Sequence, residues 1–582
     1  MKILLIYPYC LDPRLRQDDI SVPPMGLYYV GAMLKAHGYR VSLWNWHRMR
    51  GRQADMEAAL AAEDPDLVGF SILNANRWGA LEIAGMVKRL KPEAATVLGG
   101  IGATFLWRHF LTHFPQIDLV VCGEGEHTFL EVVRHLAAGS PPEALESVSG
   151  LALRVAGRPV KTPSRAPVDD PDSLPMPARY FTFQHLALTR GCPGRCSFCG
   201  SPAFWGRKVR SHSVSYFVDQ LELLAQRGVR FFFVSDDTFT MDREKVVAVC
   251  QEILWRGLEI TWQAISRVNY VSGKVLYWMR KAGCIQISYG VESGSRRIRK
   301  ILRKDIGDRQ IERAFSLTAA CGIMARAYFI YGSPGESHET IHETCSLMDR
   351  IKPLSAVFYI LDLFPGTELY EDFKRRTGAD DDIWLRKIED IMYFETDPQL
   401  EEKDILAFGR TLRRAFTANL PSYVEALKLV PDSGLDESHA DFLSRLAMTF
   451  SHGDYAGIYG RKGSQLAKKL YLRALALAPV HRAYWGLSLL ARQEGDCRKA
   501  ADWAGRGLER YPQSVELRLC LADSWIQAGN FHKAFRLLLP LQELPEALPQ
   551  LVACCRALGK TEMLRRFEAR LSALEQSGPR TG

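Results

Sequence analysis

The chain of 582 residues contains no uninterrupted apolar run of about 18 residues, so no membrane span is expected. Its opening, MKILLIYPYC, has one lysine before a short apolar run, no small-residue cleavage site behind it, and Pro8 inside it. That pattern predicts a buried first strand and not a secretory leader. An excess of one charge is also missing. Against 75 basic residues stand 66 acidic ones, a formal +9 that is too mild to argue for nucleic acid as a partner. The densest basic stretch, RRIRKILRK at 296–304, reads as a solvated helix face. Thirteen cysteines spread over this length make no disulfide framework, and the expectation is free thiols in a reducing cytoplasm.

What is present falls into zones. Residues 1–140 alternate short β-branched or apolar runs (KILLIY, VSLWNW, DLVGFSIL, ATVL, DLVVC) with helical stretches. This predicts βαβ units and a parallel sheet covered on both faces. Two of the runs end in glycine-rich turns, Gly99-Gly100 and Gly123-Glu124-Gly125, where ligands of such sheets sit. Residues 141–183 are rich in Pro, Asp and Ser and read as a linker. Residues 184–378 alternate again, with six strand candidates that suit a partial or complete barrel of parallel strands. A connecting helical region, 379–439, follows. Residues 440–575 are Ala/Leu/Arg-rich and repeat: Ala467, Ala500 and Ala534 are 33 and 34 residues apart, with Gly495 and Gly529 at matching offsets.

Three cysteines carry the clearest chemical signal. Cys192, Cys196 and Cys199 form a C-x3-C-x2-C triple, a spacing that thirteen cysteines produce by chance in fewer than about one chain in a hundred. Three thiolates can hold three irons of a cubane cluster and leave the fourth open. The alternatives are a structural zinc site with a distant fourth ligand, or unligated core thiols. Because the triple directly follows a strand, its loop falls at the barrel mouth.

With Phe198 before the third cysteine, this zone resembles the radical S-adenosylmethionine (SAM) superfamily. The matching pieces are Asp236-Asp237-Thr238-Phe239, Trp262 to Arg267, Tyr289-Gly290-Val291-Glu292-Ser293-Gly294, Gly332-Ser333-Pro334-Gly335-Glu336 and Phe364-Pro365-Gly366-Thr367. The resemblance implies a [4Fe-4S] cluster on Cys192, Cys196 and Cys199 whose open iron binds SAM. One electron, from a donor such as flavodoxin or ferredoxin, then yields methionine and a 5′-deoxyadenosyl radical. Arg267 and Glu292 are candidates for the polar ends of SAM, or for a salt bridge at the barrel rim. Asp236 and Asp237 are candidate contacts, or caps of the helix near Arg243. Phe198 and Tyr331 are further cofactor candidates, Tyr331 alternatively a packing residue.

Adding the N-terminal domain, with Pro23-Pro24-Met25-Gly26-Leu27 and Cys122-Gly123-Glu124-Gly125-Glu126, residues 1–378 resemble the cobalamin-dependent members of that superfamily. The D-x-H-x-x-G signature, whose histidine would ligate cobalt, is absent, as is common in those enzymes. Ser71, Asn74, Gly99, Gly100, Gly123, Glu124 and Gly125 are the candidate cobalamin contacts; a degenerate scaffold is the alternative. The fold class expected is α/β: a Rossmann-like B12-binding domain, a radical SAM (β/α)6 partial barrel, and C-terminal α-helical repeats resembling tetratricopeptide (TPR) repeats. The architecture fits methylation of an unactivated carbon. It also fits radical cyclisation, oxidation or rearrangement, or a TPR adaptor whose enzyme core is vestigial. The repeats are the expected surface for a protein or peptide partner.

Overall fold

The computed structural model describes residues 1–11 and 22–577; residues 12–21, within the expected first domain, lie outside the described residues. The chain divides into two compact units, Met1–Ala319 with Ile323–Ala426, and Ala320–Gly322 with Leu427–Gly582.

The first unit begins with a seven-stranded sheet of β1 (Lys2–Tyr7), β2 (Arg40–Asn45), β3 (Leu67–Ser71), β4 (Ala95–Gly99), β5 (Leu119–Val121), β6 (Leu151–Val155) and β7 (Arg158–Lys161), ordered β2-β1-β3-β4-β5-β6-β7. The helices between them are α1 (Met25–Ala36), α2 (Gln53–Glu63), α3 (Arg77–Leu90), α4 (Ile101–Phe105), α5 (Trp107–His113) and α6 (Gly125–Ala137). Ile3 through Tyr7 are all buried, as a strand sheathed by helices on both faces requires. The strand order reverses beside β1, which opens a crevice at the carboxyl edge. The expected linker 141–183 is corrected here. Residues 151–161 form the antiparallel hairpin β6–β7 against β5, turning at Ala156 and Gly157, both at positive φ. The surrounding prolines masked a short alternating pair.

The second sheet comprises β8 (His185–Leu186), β11 (Phe231–Val234), β12 (Thr261–Ser266), β13 (Cys284–Glu292), β14 (Met324–Tyr331) and β15 (Ser355–Ile360), all parallel and ordered β15-β14-β13-β12-β11-β8. It is an open six-stranded partial barrel. The first barrel strand is only two residues long. After Leu186 the chain departs into β9 (Thr189–Arg190), which pairs antiparallel with β10 (Arg210–Ser211). This ladder pinches off the loop that carries the three cysteines and α7 (Ser201–Trp205). Helices α8 (Val214–Gln226), α9 (Arg243–Trp255), α10 (Gly273–Lys281), α11 (Arg296–Ile301), α12 (Asp308–Ala320), α13 (His338–Ile351) and α14 (Glu368–Thr377) follow the strands, and α15 (Glu402–Glu425) closes the unit. The expected connecting region 379–439 is therefore not a separate body: its part up to Ala426 belongs with the barrel. No helix among the described residues is long and apolar enough to cross a membrane.

The second unit is all helical: α16 (Asp436–Ser451), α17 (Ala456–Leu477), α18 (His481–Gln493), α19 (Cys497–Arg510), α20 (Val515–Gln527), α21 (Phe531–Leu538), α22 (Leu548–Ala557) and α23 (Thr561–Ser577). Ala467, Ala500 and Ala534, equivalent positions of α17, α19 and α21, are all fully buried. Gly495 and Gly529 take the left-handed conformation that ends α18 and α20. Gly486 has no room for a side chain, since a Cβ there would lie 2.2 Å from Cζ of Tyr471. Gly486→Ala is expected to destabilise the helical unit by about 1–3 kcal/mol through overpacking, read as an earlier loss of helical circular dichroism on heating.

Candidate active site at the barrel mouth

The cysteine loop is held from three sides. Ser197 donates its N–H to the Leu302 carbonyl at 3.1 Å and accepts from Leu369 N at 3.0 Å, which ties the loop to the segments after β13 and β15. Gly191 turns at φ +103, and the Gly194 N–H points at Cys192 Sγ, 3.4 Å away. Cys192 is buried, Cys196 and Cys199 half-buried. Burial raises the Cys192 thiol and pushes Cys199 up to about 12. Thiols in such surroundings lose their protons readily only to a metal. A tetrahedral zinc would draw its sulphurs to about 3.8 Å of one another. The three Sγ atoms do not form a group within 4.8 Å, and no His, Asp or Glu among the described residues joins them. Three thiolates on one loop suit three irons of a cubane cluster, with the fourth iron left open.

Arg267 reaches this loop from the end of β12, its Nη1 3.8 Å from Cys196 Sγ and its Nη2 3.5 Å from the Asp305 carbonyl. It is buried, so its charge faces the cluster position at low screening. Glu292 does not meet Arg267. It pairs with Lys304 at 2.8 Å, both buried. A register irregularity in β13 and φ +66 at Glu292 itself turn the side chain to that partner. The basic stretch 296–304 is accordingly only partly a solvated face, since Arg299 and Lys304 are buried.

Asp236 does not cap the helix near Arg243; Asp242 does, accepting from Lys245 N at 3.0 Å. Asp236 is fully buried and accepts from the N–H groups of Leu188 and Thr189 and from the Thr189 hydroxyl. It clamps the chain as it leaves β8 for the cysteine loop. Asp237 accepts from Ser201. At the strand ends, Thr238 Oγ1, Ser333 Oγ and Glu336 Oε1 are buried without a hydrogen-bond partner. Phe198 is half-buried on the loop. Tyr331 is corrected. Odd-numbered residues of β14 face the helices, and its hydroxyl meets Arg413 of α15 at 3.3 Å. The inward-facing tyrosine is Tyr328, one that period-two alternation would have identified.

Two adjoining cavities open between the carboxyl edges of both sheets, sharing Pro24, Gly26, Leu73 and Trp205. One, of about 250 Å³, lies over β1, β3, β4 and β5; Ser71, Gly99, Gly100, Gly123, Glu124 and Gly125 line it, with Gly69 beneath. A Cβ on Gly69 would fall 2.9 Å from Leu5 Cδ2, and one on Gly100 would fall 2.7 Å from the Ile72 carbonyl, so only glycine keeps this floor open. A largely apolar cleft with a glycine floor at the carboxyl edge of the sheet is where a B12-binding domain would hold part of the cofactor. Asn74, by contrast, turns away and donates to the Glu389 carbonyl at 3.2 Å. The other cavity, of about 390 Å³, is bounded by Tyr7, Met25 and Tyr29 on the first domain and by Thr189, Asp237, Gln263, Ser288 and Tyr328 on the barrel.

Sequence reasoning missed the group that joins the two domains. Arg190, two residues before Cys192, ion-pairs with Glu124 at 3.0 Å and Glu126 at 2.7 Å, all three side chains buried. Arg210 adds a second pair to Glu124. Tyr29 and Trp205 lie against the Arg190 guanidinium at 4.8 and 5.4 Å. Tyr29 also meets His212 at 2.9 Å, and His212 meets Asp172 at 2.8 Å. The charges adjoin conspicuous motifs, but nothing in the sequence pairs them.

A B12 binding domain model matches residues 19–133, and a Radical SAM superfamily model matches residues 186–348. An uncharacterised methyltransferase of Pyrococcus horikoshii is 30% identical over 64% of this chain and 83% of its own length. The chain belongs to the cobalamin-binding radical SAM enzymes. The enzyme is also 30% identical to the anaerobic magnesium-protoporphyrin IX monomethyl ester cyclase of Rubrivivax gelatinosus, over 60% of this chain and 66% of the cyclase. Its fold matches the radical SAM methyltransferase TsrM of Kitasatospora setae, solved with cobalamin and a [4Fe-4S] cluster, with TM-score 0.62, 17% identity, and coverage of 82% of this chain and all of that one.

Two expectations follow for the enzyme. Arg190→Met leaves Glu124 and Glu126 buried with a lost partner and is expected to cost about 3–5 kcal/mol, measured by urea denaturation. Burial lifts the Glu336 carboxyl from 4.5 to about 7. Between those values the folded enzyme keeps a proton that the unfolded chain has released. Stability from this group is thus full below pH 4.5 and lost as pH rises through 7. Glu336→Gln is expected to flatten that decline in denaturation profiles recorded from pH 5 to 8 without SAM.

Proposed function

We propose that the enzyme is a methyltransferase that alkylates an unactivated carbon of a substrate held in the 390 Å³ cavity. The observation that carries this reading is that one cavity has walls from both domains, so a corrin face and the cluster side of the barrel border the same substrate. When bound, the cluster supplies the electron that opens SAM to a 5′-deoxyadenosyl radical, and cobalamin supplies the methyl group. The chain's residues do the positioning. Cys192, Cys196 and Cys199 hold the cluster and leave one iron open. Arg267 presents a buried cation beside it, suited to a carboxylate. Gln263, Ser288 and Tyr328 project from successive strands to orient the substrate. The glycine floor admits the corrin tail, and Arg190 keeps the two walls in register. The methyltransferase identity of the archaeal relative supports alkylation; the cyclase relative marks the competing outcome, with no methyl transferred.

Reductant access has its own support. A cleft of about 1320 Å³ adjoins the cysteine loop at Pro193–Arg195. Arg195, Lys300 and Arg309 face it without an ion pair among the described residues. We read it as the docking surface of an acidic one-electron carrier of the flavodoxin or ferredoxin kind.

Anaerobic enzyme loaded with cobalamin and cluster is expected to convert SAM both to 5′-deoxyadenosine and to S-adenosylhomocysteine, the by-product of recharging the corrin. Cys196→Ala should abolish 5′-deoxyadenosine. Formation of 5′-deoxyadenosine with no S-adenosylhomocysteine would favour cyclisation or rearrangement. The double reversal Arg195→Glu, Lys300→Glu is expected to slow flavodoxin-driven SAM cleavage at least tenfold and leave dithionite-driven cleavage unchanged.

A further inference from the structure

A second group of ligating side chains lies on α5, away from the cysteine loop. His109 and His113 are one helical turn apart, so both imidazoles project from the same face. Asp382, in the segment after α14, faces them. His113 Nε2 is 2.7 Å from Asp382 Oδ1, His109 Nδ1 is 3.8 Å from the same oxygen, and all three ligand atoms fall within 4.8 Å of one another. It is the only such group of three His, Cys, Asp or Glu side chains among the described residues.

A hydrogen-bonded His113–Asp382 pair accounts for two of the three. It does not account for His109, which is 3% exposed with neither ring nitrogen hydrogen-bonded. A buried imidazole with two unsatisfied nitrogens is costly, and a cation between the three side chains would relieve one of them. Tetrahedral zinc with ligands at about 2.0–2.1 Å separates its donor atoms by about 3.3 Å. The observed separations of the two imidazole nitrogens from the Asp382 oxygen, 2.7 and 3.8 Å, bracket that value. Burial also holds the His109 imidazole neutral, at about 4, which is the form that ligates. Asp382 and His113 remain partly exposed and give the ion a way in.

We propose that His109, His113 and Asp382 form a binding site for a zinc-class divalent ion, distinct from the cluster and the corrin. Two imidazoles and one carboxylate suit late first-row ions and not magnesium or calcium. Its role follows from what it joins. Trp384, two residues beyond Asp382, stacks on Arg77 at 4.5 Å, and Arg77 donates to the carbonyls of Ile388 and Glu389. The ion would pin the segment behind the barrel to the cobalamin-binding domain, on the same side as that stack.

The test uses cluster-loaded enzyme, stripped with a mild chelator and dialysed against zinc. Iron and zinc are counted together, so that zinc lodged in the cysteine loop registers as lost iron. The expected result is one zinc per chain at undiminished iron, and a melting temperature raised by zinc. His113→Ala and Asp382→Ala, at partly exposed positions that tolerate truncation, should each lose at least nine-tenths of the zinc and all of the thermal shift. Zinc below a tenth of an equivalent in the unaltered enzyme would overturn the proposal, as would either variant retaining a full equivalent.

Discussion

The arrangement turns on one buried charge cluster. Arg190 stands on the short ladder that closes the cysteine loop, and its two carboxylate partners stand on the turn and first residues of α6 in the other domain. Three charged groups are taken out of water there, at a desolvation cost that only close mutual pairing offsets. Such a cluster contributes little net stability but tolerates few alternative geometries. It fixes the glycine-rich edge of the first sheet against the radical-generating loop. Arg210 on the partner strand repeats the contact to Glu124, and Tyr29 and Trp205 shield the guanidinium. The cavity where two cofactors and a substrate would meet has its dimensions because this joint does not slide.

Electrostatics divide the barrel mouth by function. The interior holds carboxylates lifted by burial, Asp236 and Glu336 both to about 7, along with hydroxyls that lack partners. Asp236 uses its oxygens to clamp the chain that leaves β8 for the cysteine loop. The cleft on the outer side of the same loop holds Arg195, Lys300 and Arg309, which have no ion pair among the described residues. The cysteine loop separates the two environments, as a centre that takes an electron from one side and uses it on the other requires.

The degree to which each feature was legible follows from how local its physics is. The C-x3-C-x2-C triple needs only spacing, and the six barrel strands need only alternation between apolar runs and helical stretches. Both could be read directly. The repeat unit was equally readable, because each alanine marks a helix crossing that recurs every 33 or 34 residues. The hairpin 151–161 was missed because its turn, Ala156-Gly157, is brief and the neighbouring prolines dominate the composition. Tyr331 and Asn74 were drawn into the site by proximity to motifs, whereas strand parity and a contact 315 residues distant send them elsewhere.

Sequence alone thus determined the family, the cysteine triple proposed to hold the cluster, the absence of a cobalt-ligating histidine motif and the order of the domains, because each is written in contiguous residues. Tertiary structure alone decided which charges meet. Glu292 chose Lys304 over Arg267, Arg190 chose Glu124 and Glu126, and His109 and His113 gathered Asp382 from 269 residues beyond His113. Charge pairing depends on distance in space, and one strand register or one bulge is enough to change the partner.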